Sequence, residues 1–527
     1  MTGDPAAEAN RYLRTDALRA DLRGRSIRSG AVSLGARLML GAVSVLSAAV
    51  LARLLTPRDF GLLAMASTLT TFVNTFRDFG LPLATVHRED IDHRQVGALF
   101  WVNLALSALI GLLMAAMAPV LAWFYGDPRL TGITLVVTAA TFVGSVGVQH
   151  EALLQRQMRF GALTAIEVGA AVVGVIAGVA LAALGAGYWA LVAQLVALHL
   201  TRSASLWTVC RWRPGAPPRR WPGSEHSLRP LFSYGFHHAA ARVLSHVGRK
   251  LDQVLVGRFG GAAVLGLYSS ASRWSQFPFR MIYSPLVGVA VASFSRVQHE
   301  PAAYRAHIRL ALEAVFAGSL PVLAFLFAEG RLVIQVLLGD QWLSAAPLFR
   351  ILCIAAFVVC VTRVTKWLYL SQGATRREFH WAAISTPLMI LGVVAGVPWG
   401  AMGVAVGYTA AELALAYPAI AFCLATSHLS RRDFFAAVAR PAIASLMGTA
   451  MLLASGSLLP GGDHRVPALL TRAAVFWAAV ALSWVLLPGG RRAAVDLLGL
   501  ARELWPRAST AGPGRDASSA TTPAGRP

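Results

Sequence analysis

Read as hydrophobic and polar positions, the chain alternates long apolar runs with short, mostly basic breaks from Ala31 to Pro488. Most runs reach the roughly 20 residues that a helix needs to cross the ~30 Å hydrocarbon core of a bilayer. They predict helices over 31–54, 60–82, 96–124, 130–150, 162–184 and 187–208. A second set follows over 231–257, 264–294, 307–328, 345–368, 379–398 and 401–424, and a further pair over 436–459 and 468–488. Because backbone polar groups must be satisfied internally in lipid, these runs imply an all-α polytopic membrane protein of about fourteen transmembrane helices.

The two sets of six resemble one another. Arg53-Leu54-Leu55 precedes Phe60-Gly61-Leu62 by the spacing at which Arg258-Phe259-Gly260 precedes Leu265-Gly266-Leu267, an offset of 205 residues. Pro119-Val120-Leu121-Ala122 recurs as Pro321-Val322-Leu323-Ala324 at an offset of 202, and Gly185-Ala186-Gly187 is echoed by Gly400-Ala401-Met402-Gly403. Ordered matches at near-constant offset indicate an internal repeat. A unit of six helices returns the chain to its starting side, so the two lobes insert with the same orientation, related by an axis along the membrane normal. The expected division is a basic arm over 1–30, a first lobe over 31–210, a linker over 211–229, a second lobe over 230–427, the terminal helix pair within 428–490, and a largely disordered tail over 491–527.

Basic residues orient this frame. The arm carries Arg11, Arg14, Arg19, Arg23, Arg25 and Arg28, and alternate breaks carry Arg88 and Arg94, Arg156 and Arg159, and a cluster from Arg211 to Arg229. The same side continues through Arg296, Arg305, Arg376, Arg377, Arg431, Arg432, Arg491 and Arg492, while the opposite breaks hold few. By the positive-inside rule both termini are expected in the cytoplasm. The arm lacks the short apolar core and cleavage site of a signal peptide. Its interleaved Leu13, Leu18 and Leu22 would suit an interfacial helix on anionic membrane lipids or a solvated tail.

Composition narrows the function classes. With 56% hydrophobic and 14% charged residues, no soluble domain of useful size remains between the helices. The net charge of +22 is explained by loop arginines, so no nucleic-acid partner is expected. Cys210, Cys353, Cys360 and Cys423 have no metal-binding spacing and read as packing residues. No Walker loop, GxSxG, HExxH or dinucleotide fingerprint is present, which points away from an enzyme and from a bound cofactor or metal.

What remains is ionisable groups inside helices, each costing about 2.5–3.5 kcal/mol in lipid unless it meets water or a partner. His238, Arg242, His246, Arg249 and Gln253 step along one face of the seventh helix, and Arg273, Gln276 and Arg280 share a face of the eighth. Arg37 of the first helix coincides with Arg242 under the 205-residue shift. Arg37, Arg242, His246, Arg249, Arg273 and Arg280 are therefore the candidate lining of a cationic cavity between the lobes. Snorkelling to the interface is the competing reading for Arg37 and Arg249. Glu412, mid-helix, and Asp78, at a helix end, are candidates for coupling to H+ or Na+, although Glu412 would serve equally as a hydrogen-bonding group. Guanidinium groups match phosphate oxygens and stay charged, so such a cavity would suit an anionic head group whose lipid tail remains in the bilayer.

The segment Leu51-Ala52-Arg53-Leu54-Leu55-Thr56-Pro57-Arg58-Asp59-Phe60-Gly61 resembles the signature between the first two helices of polysaccharide exporters. Leu153-Leu154-Gln155-Arg156-Gln157-Met158-Arg159-Phe160, Gly187-Tyr188-Trp189-Ala190-Leu191 and Asp252-Gln253-Val254-Leu255-Val256-Gly257 resemble further family segments. The likeness spans roughly Leu34 to Leu429 and points to the Wzx-type, colanic-acid exporter-like branch of the multidrug/oligosaccharidyl-lipid/polysaccharide flippase superfamily. It implies a bacterial inner-membrane flippase that moves undecaprenyl-pyrophosphate-linked oligosaccharide units to the outer leaflet by alternating access, for surface polysaccharide, alongside a polymerase and other assembly proteins. The competing expectation is a secondary drug or metabolite antiporter of the same superfamily. The scarcity of acidic residues in the first lobe, only Asp78 and Glu167 near helix ends, counts against it.

Overall fold

The computed structural model describes residues 22–77, 85–86, 91–217, 229–455 and 465–491, with 495 and 499; along 22–34, 69–77 and 229–249 only the backbone is described. Among these residues the chain is helical throughout, without strands. The first set comprises α1 (Leu22–Leu54), α2 (Pro57–Arg77), α3 (His93–Tyr125), α4 (Arg129–Val146), the short α5 (Val148–Arg156), α6 (Phe160–Ala183) and α7 (Tyr188–Val209). The second comprises α8 (Arg229–Arg296), α9 (Pro301–Ala328), α10 (Gly330–Leu337), α11 (Ala346–Arg363), α12 (Thr365–Ser371), α13 (Thr375–Gly396) and α14 (Gly400–Leu424). A terminal pair, α15 (Arg431–Ala454) and α16 (Arg465–Leu486), follows. Among the described residues, ten stretches are long and apolar enough to cross a membrane. Where described, each of the expected segments falls on helix. The seventh and eighth run on as α8, divided where Gly261 adopts φ 77°, a left-handed conformation that an L side chain would resist.

Local chemistry fixes several ends. Asp92 caps α3 with a reciprocal capping box to Gln95, and Gly126 closes it in the left-handed conformation. The Ser430 hydroxyl caps α15 by accepting from the Asp433 amide at 3.1 Å. The repeat is visible in irregularities too: Pro119 sits inside α3, and its counterpart Pro321 inside α9.

One end of the bundle, here called distal, carries the α1–α2 turn and the Gly261 break. The proximal end carries the segment after α7. Distally the two sets share a single apolar core, in which Leu62, Met65 and Val192 pack with Leu265, Trp342 and Phe349. Proximally the cores separate. One holds Phe100, Leu153, Leu206 and Trp212, all from the first set, and the other Phe279, Phe316, Trp367 and Phe434, from the second set and α15.

The terminal pair is bound to the second set at both ends. The Glu313 carboxylate on α9 meets Arg309 at 3.2 Å and Arg440 of α15 at 3.7 Å. Toward the distal end, Arg472 of α16 pairs with buried Glu329 at 2.8 Å, and Arg465 with Asp340 at 2.8 Å. On the first set, residues after α7 fold back onto α3 and α5. The Trp212 indole donates to His93 Nδ1 at 3.0 Å, Trp101 donates to the Gly215 carbonyl at 2.8 Å, and His150 Nε2 lies 3.1 Å from the Trp212 carbonyl oxygen. The four cysteines are buried free thiols.

A cationic cavity behind a glycine crossing

Between the two sets lies a cavity of about 450 Å³. Its walls obey the internal repeat: α1 and α2 contribute Ser44, Ser47, Ser67 and Thr68, and the two limbs of α8 contribute Lys250, Gln253, Ser272, Arg273, Gln276 and Arg280. Ser67 and Thr68 shift by 205 residues onto Ser272 and Arg273, so the cavity sits on the pseudo-symmetry axis. Its charge does not share that symmetry. The described cations lining it, Lys250, Arg273 and Arg280, all come from α8, and no carboxylate is among the described lining residues.

Arg273 has an accessible side chain that lines this internal cavity, as expected of a charged group that faces a polar cavity rather than lipid. Arg280, two turns on, directs Nη2 toward the Arg273 carbonyl oxygen at 3.4 Å. The Lys250 ammonium donates to Gln253 Oε1 at 3.0 Å. Asp252, adjacent in sequence, is buried and accepts a hydrogen bond from the Tyr268 hydroxyl at 2.8 Å, and it does not line the cavity.

The structure thus brings together Arg273 and Arg280 of the candidate set. Arg37 stands elsewhere: it is exposed, and its Nη1 donates to Ser284 Oγ at 2.6 Å, tying α1 to the proximal part of α8. Gly41, one turn on, packs against Met281. Glu412 lines a separate cavity inside the second set. Arg242, His246 and Arg249 fall in the helical stretch of α8 whose side chains lie outside the description, and Asp78 lies outside the described residues.

Spacing gave no sign of the distal closure. The α1–α2 turn and α2 cross the second limb of α8 so closely that a Cβ on Gly61 would collide with the Ala262 carbonyl, and one on Gly266 with the Pro57 carbonyl. Trp342, fully buried, donates from its indole to the Ala52 carbonyl at 2.8 Å and meets Phe60 edge-on at 5.1 Å. Gln341 donates to the Ala52 and Leu55 carbonyls, and Arg53 Nη2 to the Val336 carbonyl at 2.7 Å. The signature around Leu51–Gly61 is therefore largely part of a seal over the cavity. Trp342 and Gln341 escape the sequence pattern because their acceptors are main-chain carbonyls nearly 300 residues away, which no side-chain motif marks.

Two similar helical sets around a polar cavity, shut at one end and embedded in lipid, define a two-lobed membrane transporter. The chain belongs to the polysaccharide biosynthesis protein family, whose model matches residues 50–347. It is 26% identical over 373 residues to the teichuronic acid biosynthesis protein TuaB of Bacillus subtilis, covering 68% of this chain and 74% of that one. It is 24% identical over 396 residues to the lipopolysaccharide biosynthesis protein WzxC of Escherichia coli, covering 74% and 79%. In fold it resembles the lipid II flippase MurJ in an inward closed conformation, with a TM-score of 0.65 over 87% of this chain and 98% of that one, at 12% identity.

Proposed function

We propose that this protein flips an anionic, lipid-linked oligosaccharide, an undecaprenyl-pyrophosphate-linked unit, from the inner to the outer leaflet of the bacterial plasma membrane for surface polysaccharide. The observation that carries the reading is the central cavity, whose described charged lining is three cations with no carboxylate. A diphosphate placed there meets guanidinium forks that match its oxygens, in surroundings where charges are weakly screened. Family membership and the relatives' roles in polysaccharide biosynthesis support the same substrate class. A cation-exporting antiporter would need the opposite sign in this cavity.

The basic breaks between helices fall at the proximal end, which the positive-inside rule assigns to the cytoplasm. The distal seal then faces outward, and the cavity is loaded from the inner side. Transport requires that the distal crossing open while the proximal ends of the lobes draw together. The flipped unit would then be passed to a polymerase on the outer surface. The chain acts in this reading as a transporter and not as an enzyme.

The test is complementation. In a strain whose only copy carries Arg273→Gln or Arg280→Gln, surface polysaccharide should be lost and its lipid-linked precursor should accumulate inside, with normal amounts of the protein in the membrane. Wild-type polysaccharide from the double variant would reject the assignment.

A further inference from the structure

A second cavity, of about 250 Å³, lies within the second lobe among α11, α12, α13 and α14. Its chemistry differs from that of the central cavity. Trp381 and Tyr408 supply aromatic surface, Glu412 a carboxylate, Thr386 a hydroxyl and Arg363 a guanidinium, while Glu378 in the wall pairs with Lys366 at 3.8 Å. Flat apolar faces beside dense hydrogen-bonding groups suit a pyranose ring, which offers a face of C–H bonds and a rim of hydroxyls. The volume, below the roughly 300 Å³ at which pockets for drug-sized ligands begin, leaves room for about one ring.

Position ties this cavity to the first. Arg363 stands in its wall, and Arg280 lines the central cavity from α8. The Tyr283 hydroxyl, three residues beyond Arg280 on α8, donates to the Arg363 carbonyl at 3.2 Å. In a lipid-linked glycan the first sugar is bonded directly to the outer phosphate of the diphosphate. A site for that sugar must adjoin the site for the diphosphate, and the Tyr283–Arg363 contact joins the α8 segment just past Arg280 to the wall of this cavity.

We propose that the second cavity is a saccharide subsite that seats the sugar next to the diphosphate while Arg273 and Arg280 hold the diphosphate itself. The proposal rests on the transport reading above and extends it to sugar recognition. Trp381 supplies the stacking face, and Glu412 and Thr386 hydrogen-bond the ring hydroxyls.

The experiment compares two lipids bound to the full chain in nanodiscs: undecaprenyl diphosphate, and undecaprenyl diphosphate carrying a single hexose. The wild type should bind the glycosylated lipid about tenfold more tightly, the worth of one or two net hydrogen bonds. Trp381→Ala and Thr386→Val should each cut that preference and leave the affinity for undecaprenyl diphosphate unchanged; Thr386→Val, a near-isosteric change, keeps the test open if Trp381→Ala fails to fold. Equal binding of both lipids by the wild type would overturn the subsite, as would an equal loss for both lipids in both variants. Failure of the transport reading has a different mark: Arg273→Gln would leave both affinities untouched, removing the basis for the subsite as well.

Discussion

Gly61 and Gly266 occupy equivalent places in the two halves of the chain, 205 residues apart, and face one another across a single helix crossing. Each presses its bare Cα against a carbonyl at the start of the opposite helix, Gly61 against Ala262 and Gly266 against Pro57, which are themselves 205 residues apart. The crossing is thus a pseudo-two-fold contact. Without a hydrophobic drive between helices in lipid, small residues that let backbones approach are a principal source of helix association.

A side chain at either glycine should therefore hold the distal seal open. Overpacking of this kind costs about 1–3 kcal/mol, enough to shift a two-state gate by roughly 5- to 150-fold. In a cysteine-free background with Ser270→Cys as a reporter in the cavity wall, Gly61→Leu and Gly266→Leu should both raise labelling by a membrane-impermeant maleimide added from outside the cell. Labelling that stays at the parental level in both variants would show that the crossing is not the seal.

Trp342 combines packing and a hydrogen bond, and the two can be separated. Trp342→Ala removes a fully buried indole at a cost of about 3–5 kcal/mol. Trp342→Phe keeps most of the bulk and leaves the Ala52 carbonyl without this donor, although Gln341 still donates there, so it should cost only about 1 kcal/mol. Thermal unfolding in detergent should rank wild type above Trp342→Phe and Trp342→Ala lowest; equal melting of the two variants would place the whole effect in the hydrogen bond.

How far the molecule could be read from sequence follows from the range of its interactions. The apolar runs mark the helices because a bilayer imposes length and hydrophobicity on each segment alone. Arg273 and Arg280 were legible because seven residues place them two turns apart on one helix face, and intrahelical spacing is a local property. Arg37, which the repeat aligns with Arg242, is not among the described lining of the central cavity and donates to Ser284 at the proximal contact, a long-range partner that spacing does not mark. The second cavity could not be inferred, since Arg363, Trp381 and Glu412 come from three helices whose rotations no pattern fixes. The same holds for Trp342, which sits in a short 3-10 helix (Asp340–Ala345) between α10 and α11 and bonds to a backbone oxygen.

The terminal pair depends on a buried ion pair. Glu329 is 9% and Arg472 20% exposed at the side chain, with 2.8 Å between them. Removing one member leaves a buried, uncompensated charge, at about 3–5 kcal/mol, whereas replacing both with apolar groups is close to neutral. Arg472→Leu should lower the amount of folded protein sharply and Glu329→Leu/Arg472→Leu should restore most of it, as judged by fluorescence-detected size exclusion. A double variant worse than either single would contradict this account.

Arg37 and Ser284 join α1 to α8 near the proximal end through one exposed, charge-assisted hydrogen bond of 2.6 Å. A bond of this kind contributes about 1.5–3 kcal/mol at most, less where water competes, so its loss should loosen the contact without unfolding the chain. Spin labels on Gly35→Cys in α1 and Arg296→Cys at the end of α8 would report the separation of these ends in a cysteine-free background. Arg37→Ala should broaden the distance distribution toward longer values, and Ser284→Ala should do the same to a similar degree. Because both remove one shared interaction, the double variant should broaden it no further than Arg37→Ala alone. Independent, additive broadening would mean that Arg37 acts on the proximal ends by a route other than Ser284.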